Sequence, residues 1–132
     1  MPGSLLYLDS SAIVKLVVPE PETKALLSIV RSWPEHVSSV VARIEVERVA
    51  RVIGGGAIRR SRTVLSRIGL MELDNEVIET AAALAPQALR TLDAIHLSAA
   101  LSLGQDLGAV CAYDERLATA AKSKGMDVVA PS

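Results

Sequence analysis

Short apolar runs alternating with amphipathic helical stretches predict an α/β fold for this 132-residue chain: one domain, residues 1–132, with a parallel sheet of about four to five strands and helices on both faces. Two junctions carry that prediction. LLYL at 5–8 passes through an aspartate into the helical pattern SSAIVKL, and AVCAY at 109–113 passes through another into ERLATAAK. Bulk composition agrees, because half of the residues are apolar, enough for a sizeable core, and no stretch has the composition of a linker.

The elements follow in order. Leu5 to Leu8 reads as a buried strand, and a helix opens near Ser10 with Ile13, Leu16 and Val17 on one side. Pro19-Glu20-Pro21-Glu22 breaks the pattern and starts a second helix, with Pro21 in its first turn and Ala25, Leu26, Ile29 and Val30 as its buried side. It ends near Trp33-Pro34. His36 to Ser39 is a second strand, and VVARIEVERVARVI a long amphipathic helix stopped by Gly54-Gly55-Gly56. That glycine run follows a helix and matches no phosphate-binding glycine pattern, so it reads as a turn. A basic helix (Ala57 to Arg67), a strand (Gly69 to Leu73) and helices at Asn75 to Ala85 and Leu92 to Leu103 come next. The chain closes with a strand at Ala109 to Tyr113, a helix from Glu115 to Lys124 stopped by Gly125, and a strand at Asp127 to Ala130.

Net charge is −1, so the whole molecule announces no polyanion partner. Its distribution does. Residues 43–67 carry seven of the fourteen basic side chains, all arginine, against Glu45 and Glu47 alone, giving +5 there and −6 elsewhere. Planar guanidinium forks suit phosphate, and Arg59, Arg60 and Arg62 on the basic helix are the candidate contacts. With only Tyr7, Trp33 and Tyr113 as aromatics, a base-stacking platform is excluded. The single cysteine, Cys111, has apolar neighbours and is expected to be an inert buried thiol. The chain shows neither a signal-peptide pattern nor an apolar run of membrane-spanning length, so a cytoplasmic protein with no membrane partner is expected.

Four acids stand where a solvated face is not expected. Asp9 and Asp114 each sit where a strand hands over to a helix, the edge at which open parallel sheets bind ligands, and face one another if their strands are neighbours. Helix capping by Asp9 or Ser10 is the plainer reading of the first junction. Glu45 has Val41, Ile44, Arg48 and Val52 as helical neighbours, whereas Glu47 falls with Arg43 and Arg51 and reads as an ion-pair residue. Asp93 opens LDAIHLSAAL, apolar nearly all round, with a cap again as its plain reading. Should the four converge, their mutual repulsion calls for a counter-charge, and an all-oxygen site suits Mg²⁺ or Mn²⁺. No His and Cys cluster invites zinc, and His96 reads as a packed or hydrogen-bonding residue of its helix. Such an ion beside arginines suits phosphodiester hydrolysis.

Read together, YLDSSAIVKL, SSVVARIEVER, LRTLDAIHLSAAL and AYDERLATAAKSKGM resemble the PIN-domain ribonucleases, and within them the VapC-type toxins of bacterial toxin–antitoxin pairs. The resemblance spans residues 5 to 126. It implies an endoribonuclease whose acidic quartet is Asp9, Glu45, Asp93 and Asp114. Asp9, Asp93 and Asp114 would hold the metal directly or through water, and Glu45 would complete the shell or orient the attacking water. Ser10 would support a carboxylate or bound water through its hydroxyl, and Arg116 is a candidate phosphate contact. The resemblance further implies a homodimer, a cognate VapB-type antitoxin blocking the acidic pocket, and RNA products with a 5′ phosphate. Ala112 stands where the family often has a hydroxyl residue, which makes the Asp114 site less polar.

Two other readings remain at this point. An aspartyl-phosphate phosphatase or a phospho-accepting receiver domain also places an Asp after its first strand, but the phosphatase pattern wants a second Asp where Ser11 stands. A PIN-like module that binds RNA or a partner without cutting is the non-enzymatic alternative.

Overall fold

Five strands, β1 (Leu5–Leu8), β2 (Glu35–Ser39), β3 (Gly69–Met71), β4 (Leu107–Cys111) and β5 (Val128–Val129), form one sheet in the computed structural model, which describes residues 1–132. Their order is β3-β2-β1-β4-β5 and every pairing is parallel. Seven helices connect them: α1 (Ser10–Val17), α2 (Thr23–Ser32), α3 (Val40–Ile53), α4 (Ala57–Leu65), α5 (Asn75–Ala83), α6 (Thr91–Ser102) and α7 (Glu115–Ser123).

The chain steps outward from β1 through β2 to β3, then returns to lay β4 on the other side of β1. That reversal opens a crevice beyond the carboxyl ends of β1 and β4, the place where doubly wound sheets bind ligands. Leu8 pairs in register with Cys111, so Asp9 and the loop leading to Asp114 leave the sheet side by side, as the matched junctions of the sequence suggest.

Strand alternation sorts the core into two layers. Leu6 and Leu8 of β1 with Ala109 and Cys111 of β4 face a cluster closed by Ala12, Ile13 and Val17 of α1, Leu26 of α2, Ala42 and Val46 of α3, and Leu65. Tyr7 and Val110 face the other way, against Val77 of α5, Leu97 and Ala100 of α6, and Leu117 and Ala121 of α7. Because the middle strands are covered on both faces, LLYL is a continuous apolar run rather than an alternating one. Burying each leucine side chain there contributes about 2–3 kcal/mol.

Several boundaries move. β4 begins at Leu107, two residues before its expected start, so Ala112 and Tyr113 lie beyond the strand and lengthen the loop to Asp114. Gly108 allows this, since a Cβ there would lie 2.2 Å from the Trp33 ring and 2.5 Å from the Gly3 carbonyl oxygen. Pro21 lies in a turn before α2 rather than in its first turn; Thr23 opens the helix, its hydroxyl accepting from the Glu20 N–H and donating to the Lys15 carbonyl. β3 stops at Met71, α4 at Leu65 and α5 at Ala83, each short of the expected end. The glycine run is a turn between α3 and α4, with Gly54 and Gly55 both at positive φ, 76° and 58°.

Candidate acidic active site

Asp9 occupies the first position past β1. Its Oδ1 caps α1 by accepting the Ala12 N–H at 2.9 Å, and the Ser11 hydroxyl donates to both of its oxygens at 2.7 and 2.9 Å. It is 3% exposed. Capping and crevice placement, set against each other in the sequence, hold together here. Burial pushes the Asp9 carboxyl up to about 6; the Ser11 and Ala12 hydrogen bonds oppose that rise, and nearby Asp114 adds to it. The Ser11 hydroxyl also accepts from the Tyr113 N–H at 3.0 Å, which ties the two strand-end loops together.

Asp114 caps α7 in the same way, its Oδ1 accepting the Arg116 and Leu117 N–H groups at 2.9 and 3.1 Å. Its other oxygen, Oδ2, takes Arg90 Nη2 at 3.0 Å. The same guanidinium reaches Asp93 Oδ2 through Nε at 3.2 Å. Asp93 lies in the first turn of α6, which Arg90 precedes as the residue at the cap position, and no helix N–H is bonded to its side chain. The capping reading of Asp93 therefore fails, and its partner is a cation. Asp93 is 8% exposed, whereas the Arg90 side chain is 59% exposed.

Glu45 projects from α3 into a hydrogen-bonded network. The Ser10 hydroxyl donates a short bond to its Oε1, and His96 Nε2 lies 2.9 Å from the same oxygen and 3.0 Å from Ser10 Oγ. His96 Nδ1 meets the Tyr7 hydroxyl at 2.7 Å. Ionised Glu45 can only accept, so Nε2 carries a hydrogen toward it, and the Tyr7 phenol, its pKa driven far upward by burial, keeps its proton beside Nδ1. Burial alone would raise Glu45, but the His96 and Ser10 hydrogen bonds outweigh it and hold the carboxyl below its ordinary value. The apolar neighbours that marked Glu45 in the sequence are not core: Ile44 is 62% and Val52 87% exposed. The face of α3 that packs on the core is instead Ala42, Val46 and Ala50.

Ser10, Ser11, Glu45, Tyr113 and Asp114 line an open cavity of about 400 Å³ together with Lys15, which the sequence reading passed over. Lys15 is held by Glu20 and Glu22 at 2.6 and 3.1 Å and lies 4.8 Å over the Tyr113 ring. Asp9 and Asp93 are not among its lining residues, but each is joined to one, Asp9 to Ser11 through the serine hydroxyl and Asp93 to Asp114 through Arg90. The donors are the all-oxygen set that Mg²⁺ or Mn²⁺ prefers. No three acidic, histidine or cysteine side chains are gathered closely enough to enclose an ion, and Arg90 supplies the positive charge shared by Asp93 and Asp114. The carboxylates fit a divalent cation in kind, and Asp93 and Asp114 are near enough to share one positive group, the Arg90 guanidinium.

The basic helix is engaged elsewhere. Arg60 Nε donates to the Val17 carbonyl at 2.9 Å, at the end of α1 remote from Asp9, and Arg62 pairs with Glu47 at 3.7 Å. Glu47 is the expected ion-pair residue, although its partners are Arg43 and Arg62 rather than Arg51. Arg59 is exposed without an ion pair. Arg116 borders a separate hollow with Pro86, Leu89 and Thr119. Cys111 is buried, with its thiol pushed up to about 12 by burial, as expected of an inert residue. A mainly apolar groove between α5 and α6, about 510 Å³, contains none of the acids.

A doubly wound sheet whose switch point gathers carboxylates defines a class of acidic-crevice α/β domains. The chain belongs to the PIN-domain family, as a VapC-type member: the model described as "PIN domain" matches residues 6–123. It is 50% identical to "Ribonuclease VapC46" of Mycobacterium tuberculosis over 96% of this chain and 98% of that protein, and 35% identical to "Ribonuclease VapC47" of the same species over 96% and 97%. Among solved structures, a toxin–antitoxin complex from Klebsiella pneumoniae superposes with a TM-score of 0.74 at 21% identity, covering 96% of this chain and 98% of that one. The sarcin-ricin loop cleaving toxin VapC20 of Mycobacterium tuberculosis gives 0.74 at 15% identity, covering 96% and 99%.

Proposed function

We propose that this protein is the toxin of a VapBC-type pair, an endoribonuclease that hydrolyses RNA phosphodiester bonds at its acidic crevice with Mg²⁺ or Mn²⁺ and is restrained by a cognate antitoxin. The observation that carries the reading is a sheet edge where Asp9 and Asp114 cap α1 and α7 and Arg90 bridges Asp114 to Asp93, in a chain 50% identical to a named ribonuclease. The general metal dependence of the family supports the cofactor. The toxin–antitoxin complex from Klebsiella pneumoniae among the structural neighbours supports the antitoxin.

In this reading Asp9, Asp93 and Asp114 hold the cation, which when bound supplies the Lewis acidity that polarises the phosphoryl group and makes water a nucleophile at neutral pH. Glu45, kept ionised by Ser10 and His96, orients the attacking water and accepts its proton. Arg90, Lys15 and Arg116 are the cations within reach of an incoming backbone, and Arg59 extends the phosphate track. Exposed Val40, Ile44 and Val52 on α3 give a homodimer or the antitoxin an apolar surface to cover. A cytoplasmic location belongs to the proposal. No helix is long and apolar enough to cross a membrane.

The test is cleavage of end-labelled cellular RNA in Mg²⁺, Mn²⁺ and EDTA, run beside Asp93→Asn purified identically. Discrete bands that need the cation and vanish in the variant support the proposal. Equal cleavage by both proteins contradicts it, and metal binding with no cleavage of any RNA favours a binding module.

A further inference from the structure

Arg90 is the one cation bonded to the carboxylates of the quartet, and it bonds to two of them. Its two contacts use different nitrogens, Nε for Asp93 and Nη2 for Asp114, so the guanidinium bridges the pair rather than clasping either one. On Asp114 the division of labour is complete. Oδ1 is committed to the two N–H groups that begin α7, which leaves Oδ2 as the oxygen free for a ligand, and Oδ2 is the atom Arg90 holds. A divalent cation on Asp114 Oδ2 therefore meets an oxygen that Arg90 already engages, and one shared with Asp93 lies beside the same guanidinium. The two positive groups also repel one another at such range.

We propose that Arg90 is an exchangeable internal counter-ion: it competes with the divalent cation for Asp93 and Asp114, is displaced to the mouth of the crevice when the cation binds, and there takes the substrate phosphate. The inference rests on the metal-site reading above. Displacement is easy on the observed geometry. The side chain is 59% exposed, it lies outside the helix that carries Asp93, and exposed ion pairs are weak. Once released, its planar fork matches phosphate oxygens as it matched the two carboxylates. Arg90 is thus a guard of the pocket and a substrate contact in succession, and it keeps Asp93 and Asp114 from repelling each other until the cation arrives.

Arg90→Ala, Arg90→Lys and the parent protein, stripped with EDTA and dialysed, are titrated with Mn²⁺ while free Mn²⁺ is read by electron paramagnetic resonance. Their melting in EDTA and their KM for RNA are measured alongside. The competing charge gone, Arg90→Ala binds Mn²⁺ about three- to tenfold more tightly. It melts at lower temperature in EDTA, and its KM for RNA rises about tenfold. Arg90→Lys, a point charge without the fork, falls between. Tighter metal binding with weaker RNA binding is a pair of opposite effects that a merely structural residue does not produce. Unchanged or weaker Mn²⁺ binding by Arg90→Ala, with normal binding by the parent, overturns the inference and leaves the metal site standing. Absence of Mn²⁺ binding in the parent overturns both.

Discussion

The two flanks of the crevice are held by different means. On one side Glu45 is fixed by a chain of hydrogen bonds running through His96 to Tyr7, a phenol with no exposed surface in the centre of β1. On the other, Asp93 has a single exposed arginine as its partner, and the same arginine holds the Asp114 oxygen that the α7 N–H groups leave free. Buried, fully partnered networks resist rearrangement, because any broken member leaves an unsatisfied polar group in a low-dielectric interior. Exposed ion pairs exchange readily. The lesson is a division of labour: the Glu45 flank, to which the proposed mechanism gives the attacking water, is held by a hydrogen-bonded network, and the flank to which it gives the cation and the phosphate is open to exchange.

The largest effect expected of a single change is on the networked flank's own carboxylate. Glu45→Gln should lower the rate at saturating RNA by roughly 10²–10³-fold, the scale for losing a positioned charged group at the reacting centre, with Mn²⁺ affinity little altered. A variant that cuts at half the parent rate would move Glu45 out of the mechanism.

Asp9 sharpens the comparison through pH. Its carboxyl is raised to about 6 in the folded protein from an ordinary value near 4, so the folded state holds a proton that the unfolded chain has already lost. That difference favours folding below about pH 4 and is lost as pH rises to about 6. In EDTA, Asp9→Asn should therefore gain about 1–3 kcal/mol over the parent at pH 7.5 and almost nothing at pH 4, with Asn still able to cap α1. Urea unfolding at the two pH values checks it, and a gain independent of pH would remove the buried charge as the cause.

Next in size is the support of Glu45. His96→Ala leaves the Tyr7 hydroxyl without its partner and should cost about 1–3 kcal/mol of stability. Turnover should fall about 10–100-fold, the range for outer hydrogen-bond partners, with KM for RNA nearly constant. Equal losses in kcat and RNA binding would indicate a general collapse of the site rather than misplacement of one carboxylate. The smallest effect belongs to the basic helix. With Arg60 and Arg62 engaged structurally, reversal of Arg59 alone should reduce the slope of log affinity against log salt by about one and leave saturated turnover untouched. A change in turnover would bring α4 into the crevice.

Much of this was legible from the chain. Junctions built as apolar run, aspartate and amphipathic helix placed Asp9 and Asp114 correctly, because strand burial and helix capping are local and leave periodic traces. Alternating elements demanded a parallel sheet but left the adjacency of β1 and β4 open, and the structure supplies that pairing. Arg90 was not legible as a partner of Asp114, since its 24-residue reach depends on how the loop before α6 folds back over α7. It did leave one trace, a basic residue three positions before Asp93 at a helix start. Tyr7 and His96 left others: a polar tip inside an aliphatic strand and a lone imidazole on an apolar helix, each needing a partner that sequence spacing cannot supply. For the arginine-rich stretch, composition counts charges without showing that the Val17 carbonyl and Glu47 already engage Arg60 and Arg62.

One measurement tests the contrast between the two flanks most directly: a crystal structure of the protein grown with Mn²⁺, with the ion located by its anomalous scattering. The expected result is an ion among Asp9, Asp93 and Asp114, with Arg90 swung away from both carboxylates and Glu45 still bonded to Ser10 and His96. An ion bound elsewhere, or one bound there with Arg90 still bridging Asp93 and Asp114, would contradict it.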